Sequence, residues 1–180
     1  MNNKMILEGT QTKDLQKLLS TAEKFLSKDT TREVLTYANV IDDKTYFADG
    51  CRMIEIDSNF GLENGSYELF KKKNKMTLVK IEKEFTLLFL KEISRKDFDH
   101  YADIEITSKL NIAELQYLTH KQIGIEELSF LDPENFEPLI GLDVTWSLQS
   151  QNSVGIPIQL NGSFSGIKIR MCSMMIRPRR

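Results

Sequence analysis

The stretch that decides the fold runs from Arg32 to Asp57 and has the sequence REVLTYANVIDDKTYFADGCRMIEID. Its first part is dense in β-branched and aromatic residues that alternate with smaller or polar ones, which favours a strand over 33–41. Asp42 and Asp43 then form a polar break of the kind that closes a hairpin. The stretch therefore predicts two antiparallel strands joined by a short turn.

The second strand, predicted over 44–57, contains the pair Asp49-Gly50. An Asp-Gly pair is typical of a turn. Apolar residues flank it closely on both sides, so a kink or bulge in one continuous strand is equally open. In either case we expect Asp49 to accept hydrogen bonds from nearby backbone N–H groups and Arg52 to pair across strands.

A helix is predicted before this stretch, from Thr12 as its cap to Lys28. Apolar residues recur at helical spacing and form one stripe: Leu15, Leu18, Leu19, Ala22, Phe25 and Leu26. The opposite face carries polar and charged residues, including Lys13, Lys17 and Lys24. The pattern predicts an amphipathic helix that covers one face of the sheet.

The remainder of the chain alternates between short strands and helices. Strands are predicted over 5–8, 66–70, 76–82, 101–107, 123–130, 143–149, 154–160 and 166–176. Asn111 is predicted to cap a helix that ends at Gln122, and Asp132 with Pro133 to open a short second helix. Asn161-Gly162 is predicted to turn the chain. The segment 85–93 fits either a buried strand or the start of a helix.

Composition describes a soluble globular protein. The chain has 180 residues, a formal net charge of −2 and 41% hydrophobic residues, and it contains no apolar run of about 20 residues that would span a membrane. The N-terminus lacks a signal-peptide pattern, so we expect a cytoplasmic protein. A net charge of −2 argues against a protein coated in nucleic acid, but it permits one basic face.

No catalytic chemistry is indicated. The two histidines, His100 and His120, and the two cysteines, Cys51 and Cys172, lack the spacing of a metal site. The sequence shows no glycine-rich phosphate loop and no nucleophile elbow. We therefore expect a protein that is not an enzyme and has no metal or cofactor.

Two parts of the chain resemble the sliding clamp family, the β-subunit type of bacterial DNA polymerase III. The family's R-x-x-L and T-D-G-x-R-L motifs correspond to these residues: Arg32, Leu35, Asp49, Gly50, Arg52 and Met53. The family's threonine is Ala48 here. Its C-terminal strand, close to V-M-P-M/I-R, corresponds to 173–177, where Met175 stands in place of the proline.

The resemblance implies an α+β clamp-like fold in which helices cover one face of antiparallel sheets. It implies one clamp domain over 1–180 with an unmatched insertion around 85–125, in a replication protein of phage or mobile-element type. Such a processivity factor holds double-stranded DNA without reading its sequence. A complete ring needs six domains, so this chain would have to assemble as a homo-oligomer. The expected DNA contacts are Lys13, Lys17, Lys24, Arg170 and Arg177, with Arg179 as an addition.

A second function is open: a clamp-fold interaction module that binds short motifs of replication or repair proteins without encircling DNA. Clamps take up such motifs in a hydrophobic groove beside the C-terminal strand. The residues that suit this groove are Met171, Met174, Met175 and Ile176. The predicted second helix favours this alternative, because Asp132, Glu134 and Glu137 would repel DNA.

Overall fold

The computed structural model describes residues 4–8, 12–73, 75–85, 99–122, 132–150 and 158–173. They form two compact units, one within Met1–Lys96 and one within Asp97–Arg180. No described helix is long and apolar enough to cross a membrane. The prediction that the whole chain is one clamp domain with an insertion stays a prediction.

The first unit is a helix on an antiparallel sheet. Helix α1 is Lys13–Ala22, and the strands are β1 Lys4–Glu8, β2 Ala38–Ile41, β3 Lys44–Ala48, β4 Arg52–Ile56, β5 Gly65–Lys72 and β6 Lys75–Lys80. Their order in the sheet is β1-β6-β5-β2-β3-β4. Each neighbouring pair is antiparallel.

The described part of the second unit has the same order of elements, with four strands. Helix α2 is Lys109–Gln122, and the strands are β7 Asp99–Glu105, β8 Thr145–Ser150, β9 Ile158–Phe164 and β10 Ile167–Ser173. Their order is β7-β8-β9-β10, and each pair is antiparallel. In both units a strand and an α-helix are followed by two 3-10 segments and then by antiparallel strands. The predicted α+β class is confirmed.

Helix α1 is built as its sequence predicts, although it is shorter. Leu18, Leu19 and Ala22 are fully buried, whereas Leu15 and Leu26 are only half-buried. The α-helix ends at Ala22 rather than Lys28, because a 3-10 turn over Glu23–Phe25 follows and Leu26 is extended (φ −73°, ψ 143°).

The predicted strand over 33–41 is wrong in its first half. Residues Thr30–Thr36 form a 3-10 segment, and strand β2 begins only at Ala38. The Asp29 side chain accepts a 2.9 Å hydrogen bond from the Thr31 backbone N–H and caps this segment. The Asn39 side chain donates to the Val34 carbonyl at 3.0 Å and holds its end. Side-chain bonds to the backbone therefore override the strand preference of the residues.

The hairpin at Asp42-Asp43 is confirmed, since β2 and β3 pair with Ile41 opposite Lys44. The open choice at Asp49-Gly50 resolves as a turn. Strands β3 and β4 are separate and antiparallel, with Ala48 opposite Met53. Nearly every residue of both strands is buried, so this hairpin contributes to the core.

Two helical segments in the second unit differ from the prediction. Helix α2 begins at Lys109, and the Asn111 side chain accepts hydrogen bonds from the Thr107 and Ser108 hydroxyls instead of capping the helix. Asp132 does cap and Pro133 follows it, but the segment consists of 3-10 turns over Pro133–Asn135 and Glu137–Leu139. The short segment is therefore no α-helix.

The predicted turn at Asn161-Gly162 is also wrong. Both residues lie inside β9, and the chain turns at Ser165 and Gly166, which have φ angles of 49° and 81°. A Cβ atom on Gly162 would lie 2.4 Å from Val144 Cγ1 and 3.1 Å from Trp146 Cε3. The glycine is required by close packing over the tryptophan and not by a turn. Predictions for 86–93, 123–130, 151–157 and 174–176 lie outside the described residues.

Candidate nucleic-acid and partner-binding surfaces

The exposed face of α1 and its 3-10 extension carries three lysines, which we call the α1 basic face: Lys13, Lys17 and Lys24. All three are exposed, opposite the buried Leu18 and Leu19. Positions four and seven apart along a helix fall on one side of it. Lys13 and Lys17 therefore fall on one side of α1, and Lys24 is exposed in the 3-10 turn that follows the helix.

Acidic groups near the α1 basic face are partly neutralised. The Glu23 carboxylate forms an ion pair with Lys71 of β5. Neither Lys13 nor Lys24 forms an ion pair with a described residue. The surface thus keeps positive charge available for an anionic partner such as a phosphate backbone.

The turn between β3 and β4 is organised by the Asp49 carboxylate. One oxygen accepts hydrogen bonds from the backbone N–H groups of Cys51 (2.9 Å) and Arg52 (3.0 Å). The other accepts from Arg52 Nε at 2.8 Å. Gly50 has a φ of +95°, a left-handed conformation that side chains resist.

Arg52 joins this turn to the end of α1. Its Nη2 donates to the Lys24 carbonyl at 2.9 Å, and its guanidinium carbon lies 5.0 Å from the centre of the Phe25 ring. Arg32 reaches the same turn, because its Nη1 is 2.5 Å from the position that a Gly50 Cβ would occupy. The structure thus brings together the predicted structural residues, and the guanidinium of Arg52 binds Asp49 and a helix carbonyl.

The predicted C-terminal contacts have a different setting. Arg170 is half-buried on β10, and its Nε donates to the Asn161 side chain at 3.0 Å. Met171 is fully buried, so a partner could reach it only if the core opened. The remaining predicted residues lie outside the described part of the chain: Met174, Met175, Ile176 and Arg177. Their roles stay predictions.

The exposed side of α2 carries an apolar stripe beside the charged residues Lys109 and Glu114. Leu110 is 82% exposed and Tyr117 is 57% exposed, and Ala113 between them is also exposed. Lys109 at the start of the helix forms a 2.6 Å ion pair with Glu137. The hydrogen bond and the charge of that carboxylate raise the pKa of Lys109. Sequence reasoning missed this face, although Leu110, Ala113 and Tyr117 have the three- and four-residue spacing of a helical stripe.

A groove of about 680 Å³ lies in the first unit, lined by the end of β2, the start of β5 and residues 80–85. Its walls include Lys80, which forms a 3.1 Å ion pair with Glu63, and the Phe85 ring, whose centre is 6.1 Å from that of Tyr37. Distant segments form this groove, so no local sequence pattern could have found it.

No group of three or more His, Cys, Asp or Glu side chains that could hold a metal occurs in the described ranges. Cys51 is an exposed free thiol and Cys172 a buried one. Absence of a cofactor and of catalysis stays a prediction from the sequence.

No family model and no curated protein matches the sequence. Solved structures do match the fold. The chain aligns with the β chain of DNA polymerase III from Streptococcus pneumoniae with a TM-score of 0.60 at 12% identity, over 99% of this chain and 66% of that one.

The β subunit from Thermotoga maritima gives a TM-score of 0.55 at 12% identity, with coverages of 99% and 66%. The DNA polymerase sliding clamp from Bacillus subtilis gives 0.55 at 10%, with coverages of 98% and 64%. This chain therefore spans about two thirds of the length of these proteins. The chain has the fold of the DNA polymerase III β sliding clamps.

Proposed function

We propose that this protein is a non-catalytic, clamp-fold accessory protein of DNA replication that contacts double-stranded DNA through the α1 basic face. The single observation that carries the proposal is the exposure of Lys13 and Lys17 on α1 and of Lys24 in the 3-10 turn that follows it. The resemblance drawn from the sequence implies the same use, because the inner helices of clamps face DNA. The contact is electrostatic and independent of sequence.

Self-assembly is part of this proposal. This chain spans about two thirds of the length of the matched clamps, and the proposed ring is built from several copies of it. A ring retains DNA by topology, and each phosphate contact can then be weak. The proposed contacts from Arg170 and Arg177 are secondary, since Arg170 already donates to Asn161.

The test is to reverse Lys13, Lys17 and Lys24 to glutamate and to measure binding to duplexes of several sequences at increasing salt. For the native protein, log affinity should fall linearly with log salt, with a slope of about 0.9 for each phosphate neutralised. The reversal should weaken binding to every duplex alike and reduce that slope.

A matched control makes the same change in net charge elsewhere. Lys72, Lys73 and Lys168 are exposed and lie outside the α1 basic face. Reversing them should reduce affinity much less than reversing the three α1 lysines. Equal losses in the two triple variants would mean that only net charge matters, and binding that is insensitive to salt, or absent at low salt, would refute DNA contact.

The exposed face of α2 favours a second candidate, an interaction module for replication or repair proteins. A helix that presents Leu110, Ala113 and Tyr117 to solvent suits an apolar partner better than a phosphate backbone. This alternative expects Leu110→Asp to abolish binding of a partner protein that the α1 triple reversal leaves intact. An unchanged partner affinity for both Leu110→Asp and Tyr117→Asp would refute a role for this face.

A further inference from the structure

In the part of the chain that the structure describes, β1 is the outermost strand of the first unit's sheet. Among the described strands it pairs only with β6, through the register that places Ile6 opposite Thr77. Its other side therefore presents backbone N–H and C=O groups to any incoming strand, which is the usual starting point for edge-to-edge pairing. The strand contains no proline, so the edge is not blocked by a missing donor.

The outer face of this edge is apolar at its centre. Ile6 on β1 is 47% exposed and Phe70 on β5 is 48% exposed, although both are large hydrophobic residues. Both lie opposite Thr77 of the intervening strand β6, so the three residues form one cross-strand row. Leu7 is buried on the other face. The exposed row ends at the open edge, where a further apolar residue in register would continue it.

The sequence of β1, KMILE over Lys4–Glu8, is complementary to itself when two copies run antiparallel. A two-fold axis at Ile6 pairs Ile6 with Ile6 and Met5 with Leu7. It also pairs position 4 with position 8, and the sequence has a lysine at one and a glutamate at the other. Opposite charges in direct cross-strand positions are favourable, and like charges are unfavourable.

Other ways of pairing two β1 strands lose this match of charges and faces. A parallel pair in register would set lysine against lysine and glutamate against glutamate. A slip of one residue would move Ile6 to face the wrong side of the extended sheet. A lysine on an edge strand normally discourages pairing. A second copy of β1 removes that obstacle, because it places a glutamate opposite the lysine.

We propose that two copies of this protein associate through antiparallel pairing of their β1 strands, centred on Ile6. The contact uses the same surface on both copies, so it closes after two and does not grow into a fibre. It extends the row of Phe70, Thr77 and Ile6 across the two-fold axis into the second copy. It supplies one of the self-association contacts that the proposed function needs, but it is argued from the strand register, the exposed apolar row and the charges of β1, and it is tested without DNA.

The test measures mass in solution by sedimentation over a wide range of protein concentrations. The native chain should move from 20.8 kDa at low concentration to twice that mass at high concentration. In the Lys4→Glu variant, both cross-strand pairs of positions 4 and 8 set an acid against an acid. The dimer should therefore be abolished. Glu8→Lys should abolish it in the same way with two lysines against two lysines. Melting curves of each variant show whether the fold is intact.

The decisive measurement is made on a mixture of the two single variants. In an equimolar mixture of the Lys4→Glu and Glu8→Lys proteins, both cross-strand pairs are again of opposite charge, so a mixed dimer should form where neither variant dimerises alone. The double variant, Lys4→Glu with Glu8→Lys, should dimerise with itself. High salt should weaken the charge dependence. A native protein that stays monomeric, dimers that persist in both single variants, or a mixture that remains monomeric would each overturn the proposal.

Discussion

Gly162→Ala isolates the packing of β9 over Trp146. The added Cβ would lie 2.4 Å from Val144 Cγ1, about 1.1 Å inside the 3.5 Å at which carbon atoms make favourable contact. Both Val144 and Trp146 are buried, at 5% and 0% exposure, so neither can move into solvent. Overpacking of this kind costs about 1–3 kcal/mol, and alanine regains about 0.5–1 kcal/mol over glycine in a strand. A separation of 2.4 Å is a severe overlap, so the upper part of the overpacking range, about 2–3 kcal/mol, applies, and we expect a net loss of about 1–2.5 kcal/mol in the free energy of unfolding.

Urea denaturation followed by the fluorescence of Trp146, the single tryptophan, measures this loss directly. The matched control is the same change in a Val144→Ala background, where the nearest clashing atom has been removed. The destabilisation by Gly162→Ala should then be smaller than in the native background. Substitution by asparagine adds a second control, since Gly166 at φ +81° should accept asparagine more readily than Gly162. Unchanged stability of Gly162→Ala, or an equal loss in both backgrounds, would refute the packing argument.

Three further predictions concern the first unit. Leu19→Ala should lower the free energy of unfolding by roughly 2–5 kcal/mol, because Leu19 is fully buried; a loss in chemical denaturation no larger than that of a surface leucine would contradict this. Gly50→Val should lower the melting temperature, at a cost of about 1–3 kcal/mol, since the position has φ +95° and a side chain would meet Arg32; full stability with a lost activity would show that the site is functional instead. Hydrogen bonds from the Thr31 side chain and backbone lower the pKa of Asp29, so its stabilisation is present above the usual aspartate pKa and lost as pH falls through the lowered value. The stability difference between native protein and Asp29→Asn should therefore shrink in acid, and a difference that grows there would reverse the assignment.

Local patterns predicted the elements whose cause is local. The stripe of Leu18, Leu19 and Ala22 repeats at helical spacing, and the structure buries all three. The Asp42-Asp43 hairpin follows from a polar break between strand-forming residues. The exposure of the α1 lysines follows from the same periodicity, because a helix that buries one face presents the other to solvent.

The wrong predictions arise where packing or side-chain hydrogen bonds to the backbone override the local preference of the residues. Gly162 resembles a turn glycine in sequence, and only the approach of Val144 and Trp146 explains why β9 continues through it. Val34 and Thr36 favour a strand, but the segment is capped by Asp29 and held by Asn39 in a 3-10 conformation. Features of the candidate site were likewise missed where they depend on residues that are distant in the sequence.

The pairing of Glu23 with Lys71 joins a helix to a strand almost fifty residues later, and no spacing rule connects them. The groove beside Phe85 likewise depends on segments that meet only in three dimensions.

The pairing of β1 with β6 has a consequence for the order in which the first unit folds. Leu7 lies opposite Met76, so the first and last strands of this unit meet only after a closure of about seventy residues. Contacts of such high sequence separation slow folding. On the ribosome, at about 5–20 residues per second, β1 must wait several seconds before its partner strand is made. During that interval its apolar residues are free to pair with other chains, so chaperone dependence of this unit should be set by the N-terminal strand more than by the central hairpin.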